Sequence, residues 1–230
     1  MKINLLWPTE IYSFKSDIID NDKIKELILQ KEDGSAGISG SRRPFGGAWQ
    51  STRSILEENE FSEIKDFLFE CTSSIKNEIY DDDVKFSLVQ SWANVNRYNH
   101  DNSGHIHDDT HWSCVYYVTE TYTAPLYLKD PRIKMESDPL NFEKKVASDN
   151  FHFSLRTKYF KTLGVDKASN AVATTNVFKC FKTLGSEKSI SSMPGDVVFF
   201  PSWLEHRVDK NSTDNPRIAI ASTFLIEGTQ

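Results

Sequence analysis

Phe61, Ile64, Leu68, Cys71, Ile75 and Ile79 recur at steps of three and four residues. That spacing lines one face of an α-helix and predicts a helix over residues 57–80. A shorter stripe, Ile24, Leu27 and Ile28, follows Asp20-Asn21-Asp22, whose side chains suit a helix N-cap. From Val84 the period falls to two. Val84, Phe86 and Leu88 alternate with Lys85 and Ser87, and the pattern runs on through Trp92 to Asn96, which predicts a strand. Further strand-like runs cover residues 113–118, 124–128, 195–200 and 217–225. Residues 39–51, rich in Gly with one Pro, read as an irregular loop between the helices. Short strands separated by turns, after a helical prelude, predict a mainly β protein with N-terminal helices and a two-sheet jelly roll.

The 230 residues fit one domain. Within it, residues 1–82 are expected to be helical support, and 83–132 with 191–230 the jelly-roll core. Residues 133–190 fit this scheme least and are expected to form an insertion or lid over the mouth of the barrel. Phe160-Lys161-Thr162-Leu163-Gly164 returns as Phe181-Lys182-Thr183-Leu184-Gly185, too short an echo for a repeat architecture. A mean hydropathy of -0.49 and the lack of a long apolar run exclude a spanning helix. The apolar start is cut by Pro8, so no signal peptide is expected. Cys71, Cys114 and Cys180 stand at unrelated spacings and read as reduced thiols of a cytoplasmic protein. A net charge of -6 without a basic stripe disfavours a nucleic-acid surface. Oligomeric state leaves no trace in the sequence.

Chemistry concentrates in one stretch. Four of the six histidines, His100, His105, His107 and His111, fall within twelve residues, and His206 follows much later. Neutral imidazole is a common ligand for iron, zinc and copper. His105 and His107 are two apart, so on a strand they share a face. A third ligand from a distant strand would close a three-point metal site with open positions. His107 and Asp109 have the same spacing, so periodicity alone leaves two registers. Consecutive aspartates such as Asp108-Asp109 are more often turn residues. His100 and His152 read as structural or solvated, and His111 as packed. Gly104 offers room for close backbone approach beside His105.

Taken in order, His105-Ile106-His107, residues 113–118, Asp130-Pro131-Arg132, residues 195–206 ending Phe200-Pro201-Ser202-Trp203-Leu204-Glu205-His206, and residues 217–221 form a set. This set resembles a little-characterised branch of the Fe(II)/2-oxoglutarate-dependent oxygenases, and residues 6–12 and 46–51 resemble it too. The resemblance implies a double-stranded β-helix, with Fe(II) on His105, His107 and His206 and with 2-oxoglutarate and O2 as cosubstrates. It also implies that Arg217, on the strand after His206, meets the distal carboxylate of 2-oxoglutarate, a task suited to a planar guanidinium. Asn96 and Tyr116 are the further candidate cofactor-binding residues, with Asn94 and Tyr98 as weaker donors. The implied reaction is oxidative decarboxylation of 2-oxoglutarate to succinate and CO2, coupled to hydroxylation of a small-molecule or peptide substrate. Two rivals are a three-histidine dioxygenase without 2-oxoglutarate and a non-catalytic cupin-like module that keeps a metal for stability. A carboxylate anchor at Arg217 has no purpose in the first, and a structural zinc site normally takes four ligands, often cysteines.

Overall fold

The structure, a computed structural model, describes residues 9–34, 40–42, 46–80, 84–131 and 187–228. In chain order these form β1 (Tyr12–Lys15), α1 (Asn21–Gly34), β2 (Gly40–Arg42), β3 (Trp49–Ser51), two 3-10 turns (Ile55–Glu57 and Asn59–Phe61), α2 (Ser62–Ile79) and β4 (Val84–Asn96). There follow β5 (Asn102–His105), β6 (Trp112–Tyr117), β7 (Leu126–Lys129), β8 (Glu187–Ile190), β9 (Asp196–Pro201), β10 (His206–Val208) and β11 (Arg217–Gly228). A seven-stranded sheet runs β1-β9-β6-β11-β4-β3-β2, and a four-stranded sheet runs β5-β10-β7-β8. Met1–Leu128 with Ser189–Gln230 make one compact unit and Lys129–Lys188 a second. The expected insertion lies almost wholly outside the described residues, as do the short echo, His152 and Cys180.

Two apolar layers follow from the alternation of strand side chains. On one face of the large sheet, Trp112, Cys114, Tyr116, Val197, Phe199, Ile218, Ile220 and Phe224 pack with Ile24 and Ile28 of α1 and with Ile64, Leu68, Cys71 and Ile75 of α2. Phe67 meets Tyr116 edge-on at 6.3 Å, and Phe69 meets Phe224 at 6.0 Å. On the other face, Val115, Tyr117, Val198, Phe200 and Ala219 of the large sheet join Leu126, Leu128 and Val208 of the small one. This second layer is the interior of the jelly roll. Full burial stabilises each such aliphatic or aromatic side chain by about 1.5–3 kcal/mol.

The helices form where the apolar spacing places them. Asp20 Oδ1 accepts the Lys23 N–H at 3.0 Å, which caps α1. At its other end Glu32 is buried and holds Arg97, just past β4, through Nε at 3.1 Å and Nη2 at 2.7 Å. This bidentate pair ties the helix to the strand end that enters the site. The longer helix begins at Ser62, later than expected, because two 3-10 turns carry the chain from Ile55 to Phe61.

Three departures from expectation have physical causes. Gly40–Arg42 and Trp49–Ser51 are strands within the segment read as loop, because runs of three residues are too short to show an alternation. Together with β1, they give the N-terminal third three strands of the large sheet, so it is more than helical support. The third departure concerns β4. A strict alternation would put Phe86, Leu88, Trp92, Asn94 and Asn96 on one face. The register with β11 instead pairs Thr223 with Gln90 and Phe224 with Leu88, leaving Val89 as an extra residue. This bulge shifts the phase by one. Phe86 therefore packs beneath the helices with Ala93 and Val95, while Trp92 and Asn94 face the interior.

The bulge makes a testable demand. Val89 is 39% exposed, so Val89→Ser is expected to change stability by no more than about 0.5 kcal/mol. Deleting Val89 would turn either Phe86 or Trp92 to the wrong face, and the loss should exceed about 4 kcal/mol. Urea unfolding of both variants checks this; a deletion as stable as the substitution would mean the extra residue is dispensable.

Candidate metal centre

Pairing between distant segments builds the site. β10 lies between β5 and β7, with His206 opposite both His105 and Leu128. His107 stands just beyond β5, and its N–H donates to the Ser202 carbonyl at 2.9 Å, which ties it to the turn before β10. The three rings therefore face one another, with centroids 5.1 Å apart for His105–His107, 4.3 Å for His105–His206 and 5.2 Å for His107–His206. One ring nitrogen from each lies within 4.8 Å of the others.

Their backbone contacts choose which nitrogen is available. His105 Nδ1 lies 2.8 Å from the Ser103 carbonyl, and His206 Nδ1 lies 2.9 Å from the Leu204 carbonyl. A carbonyl can only accept, so Nδ1 carries the proton in both rings and the Nε2 lone pair is left for a metal. Asp108 and Asp109 form an exposed turn, and neither joins this group.

The histidines open onto a pocket. Its β3–β4 side is polar: Gln50, Asn94 and Asn102 line it, with Gln50 Nε2 donating to Asn94 Oδ1 at 2.6 Å. Val115, Leu126, Phe200 and Val208 supply apolar lining. From β11 come Arg217, Ala219 and Ala221; the two alanines keep the space open that larger side chains would fill. Arg217 is 3% exposed. Its Nε donates to the Ala124 carbonyl at 2.9 Å, its Cζ stands 5.7 Å from the Tyr117 ring, and its Nη2 has no partner. The Tyr117 hydroxyl is buried too and makes no well-directed hydrogen bond, although Ser192 lies near it.

A protein family described as "Putative 2OG-Fe(II) oxygenase" matches residues 90–223, more than half of the chain, including His105, His107, His206 and Arg217. The chain belongs to that family. Members are 2-oxoglutarate-dependent Fe(II) oxygenases, so iron and 2-oxoglutarate are the groups its pocket must accommodate. No curated protein matches the chain in sequence. Several solved structures share its fold. The epimerase SnoN in complex with Fe3+, alpha ketoglutarate and nogalamycin RO is 10% identical with a TM-score of 0.57, over 96% of this chain and 82% of that one. A Pseudomonas putida prolyl-4-hydroxylase is 10% identical with a TM-score of 0.54, over 94% of this chain and 93% of that one. HygX from Streptomyces hygroscopicus, with nickel and 2-oxoglutarate bound, is 8% identical with a TM-score of 0.55, over 94% and 82%. At these identities the likeness is one of fold, a jelly roll.

The oxygenase's donor set fits the two groups. Three converging imidazoles suit Fe(II), and a buried guanidinium with an unpartnered Nη2 suits a carboxylate. Burial is the main cause that pushes His206 down to about 3 and His107 down to about 4, with neighbouring His105 adding to both and Arg53 to His107. Both rings are therefore neutral at physiological pH, the state a metal ligand requires. Burial also lowers the pKa of Arg217 and raises that of Tyr117.

Several candidate residues fall elsewhere. Tyr116 lies on the helix side of the large sheet and is absent from the pocket lining. Its side chain points to the helices, where the hydroxyl donates to Asn21 Oδ1 at 2.8 Å. The adjacent Tyr117 faces the interior instead, since neighbours on a strand point to opposite faces. In an all-apolar run such as residues 113–118 nothing in the sequence marks which tyrosine is which. Asn96 sits opposite Arg217 in the β4–β11 register, fully buried. It donates to Asn102 Oδ1 at 2.8 Å, so it orients a lining residue without lining the pocket itself. Tyr98 is 63% exposed in the turn after β4. His111 accepts the Ile226 N–H and His100 the Arg97 N–H, both structural roles. A Cβ on Gly104 would meet only the flexible Glu205 carboxylate at 3.2 Å, so the backbone there does not demand glycine. Gln50, Trp92 and Asn102 line the pocket without having been singled out as site residues by the sequence, although Gln50 falls in the stretch 46–51 that resembles the family.

The buried histidines make metal-free protein acid-sensitive. Their folded-state pKa values lie below the ordinary 6.5, so the unfolded chain binds protons more readily. The stabilisation is complete above about pH 6.5 and declines as pH falls towards the folded values. The Tm of metal-free protein is expected to drop between pH 7.5 and pH 5, and His206→Gln should flatten that slope. Parallel Tm profiles for the two proteins would contradict it.

Proposed function

We propose that His105, His107 and His206 hold Fe(II) and that Arg217 holds the distal carboxylate of 2-oxoglutarate. The reaction couples 2-oxoglutarate, O2 and a substrate C–H bond to succinate, CO2 and a hydroxylated product. One observation carries this reading: a buried guanidinium with an unpartnered Nη2 shares a pocket with three converging imidazoles. A buried cation left without an anion is costly, whereas a carboxylate bound there makes the arrangement favourable. When bound, the iron supplies the centre at which O2 is activated and the keto acid is decarboxylated.

The protein's own part is ligation, orientation and shielding. Backbone carbonyls fix His105 and His206 in the tautomer that presents Nε2. Arg217, held by the Ala124 carbonyl, orients the distal end of the cosubstrate. Val115, Leu126, Phe200 and Val208 keep water from that end of the pocket. Three neutral imidazoles leave the full charge of the iron, which the carboxylates of 2-oxoglutarate offset. The substrate is a small molecule or peptide. No helix among the described residues is long and apolar enough to cross a membrane, and the unpaired thiols of Cys71 and Cys114 fit a reducing, cytoplasmic setting.

A three-histidine dioxygenase without 2-oxoglutarate would leave Arg217 buried with no task. A structural zinc module is disfavoured because Cys71 and Cys114 both pack in the helix-side layer and supply no fourth ligand.

Anaerobic protein is expected to bind one Fe(II) per chain and to form succinate slowly in air when given 2-oxoglutarate alone. In the ligand set, His105→Ala should lose iron and Asp109→Ala should keep it, read by metal analysis after desalting. The reverse result would move the site to the His107/Asp109 register. Arg217→Ala should retain iron while the KM for 2-oxoglutarate rises at least about tenfold, since a charged partner in a buried site is worth about 2–5 kcal/mol. An unchanged KM would assign the arginine to structure.

A further inference from the structure

Beside the histidines runs a chain of three hydroxyls that the proposed reaction does not use. Thr110 Oγ1 donates to Ser202 Oγ at 2.9 Å, and Ser202 Oγ lies 2.8 Å from Ser113 Oγ. Ser202 is fully buried and Ser113 is 2% exposed. The backbone of Ser202 is fixed as well: its carbonyl accepts the His107 N–H and its N–H donates to the His111 carbonyl, both at 2.9 Å. The middle hydroxyl therefore has little freedom.

Proton accounting gives the chain a direction. A hydroxyl has one proton to donate, and Thr110 gives its own to Ser202. If Ser113 also donated to Ser202, the Ser202 proton would be buried with no acceptor among the described residues, a state that folded proteins avoid. Ser202 therefore donates to Ser113. The Ser113 proton is then left without an acceptor among the described residues, and Ser113 lines the pocket.

The strand register says which molecule this donor meets. Ser113 stands opposite Phe200 on β9 and Thr223 on β11. The Phe200 ring meets the His206 ring edge-on at 4.8 Å, so the hydroxyl belongs to the metal end of the pocket. Thr223 is six residues from Arg217, which is about 20 Å along β11. A five-carbon diacid anchored on Arg217 does not reach that far.

We propose that Ser113 is a specificity-determining residue whose hydroxyl donates to an oxygen acceptor on the molecule to be oxidised. This rests on the oxygenase reading, in which 2-oxoglutarate occupies the Arg217 end. Thr110 and Ser202 are positioning residues that aim the donor. Val115 and Phe200, which line the pocket next to Ser113, suit an apolar body carrying that oxygen.

The test uses full-length protein loaded with Ni(II), a redox-inert stand-in for iron, and 2-oxoglutarate, with loading measured first by calorimetry. Acetophenone and anisole are then titrated beside α-methylstyrene and ethylbenzene, hydrocarbons of the same shapes that lack the oxygen. Within each pair the ratio of affinities reads the donor alone, because a loss of packing weakens both members alike. Ser113→Ala is expected to lower that ratio about fivefold in at least one pair, the size of a lost neutral hydrogen bond, and Ser113→Thr to keep it. Thr110→Val, outside the pocket lining, should lower it too, because Ser202 can then accept from Ser113. If Ni(II) and 2-oxoglutarate fail to load, the oxygenase reading falls and this assignment with it. If they load, the assignment alone is overturned by any of three results: no oxygenated probe binds, the ratio is unchanged in Ser113→Ala or Thr110→Val, or Ser113→Ala weakens 2-oxoglutarate instead of the probes.

Discussion

β11 is paired on both sides, with β4 along its whole length and with β6 over residues 219–224, and it is buried on both faces for most of its run. Every other part of the site is placed relative to it. Its even-numbered residues Ile218, Ile220 and Phe224 hold the sheet to the helices, while Arg217, Ala219 and Ala221 turn to the pocket. A slip of one residue would bury the helix-facing set in the pocket and carry Arg217 to the outside. The wide ladder with β4, broken only by the bulge at Val89, is what prevents that slip.

The metal centre is assembled by a second, weaker device. The four-stranded sheet is built of short strands, and β10 has only three residues. Such a strand is held largely by its neighbours, β5 and β7. His206 is buried between them, His107 is half-buried and His105 is exposed. One ligand is thus anchored in the interior and two are offered from its edge, which leaves one side of the site open. The cost of burying unprotonated imidazole is small, because neutral rings lose little solvation, and their carbonyl partners satisfy Nδ1.

Arg217 is desolvated and only partly satisfied: its Nε donates to the Ala124 carbonyl while its Nη2 meets no partner. A buried cation in that state favours an arriving anion, which is the physical ground for the carboxylate proposed to bind there.

Both helices, the longer strands and most of the candidate chemistry were legible in the sequence. Apolar spacing marked α1 and α2, alternation marked β4, and continuous apolar runs marked β6, β9 and β11, because these patterns are local consequences of helix and strand geometry. His105, His107, His206 and Arg217 were legible as a set through their order and resemblance. Facing was not legible wherever both sides of a strand are buried: Tyr116 and Tyr117 are chemically alike, and only packing against Asn21 and Phe67 sends the first to the helices. The bulge at Val89 was equally hidden, since an extra residue is defined by its absent partner on β11. Tertiary structure alone decided that His206 lies opposite His105, that Arg217 Nη2 stays without a partner, and that Ser202 joins Thr110 to Ser113. Each of these joins residues far apart in the chain or depends on what is missing around an atom, and local pattern records neither.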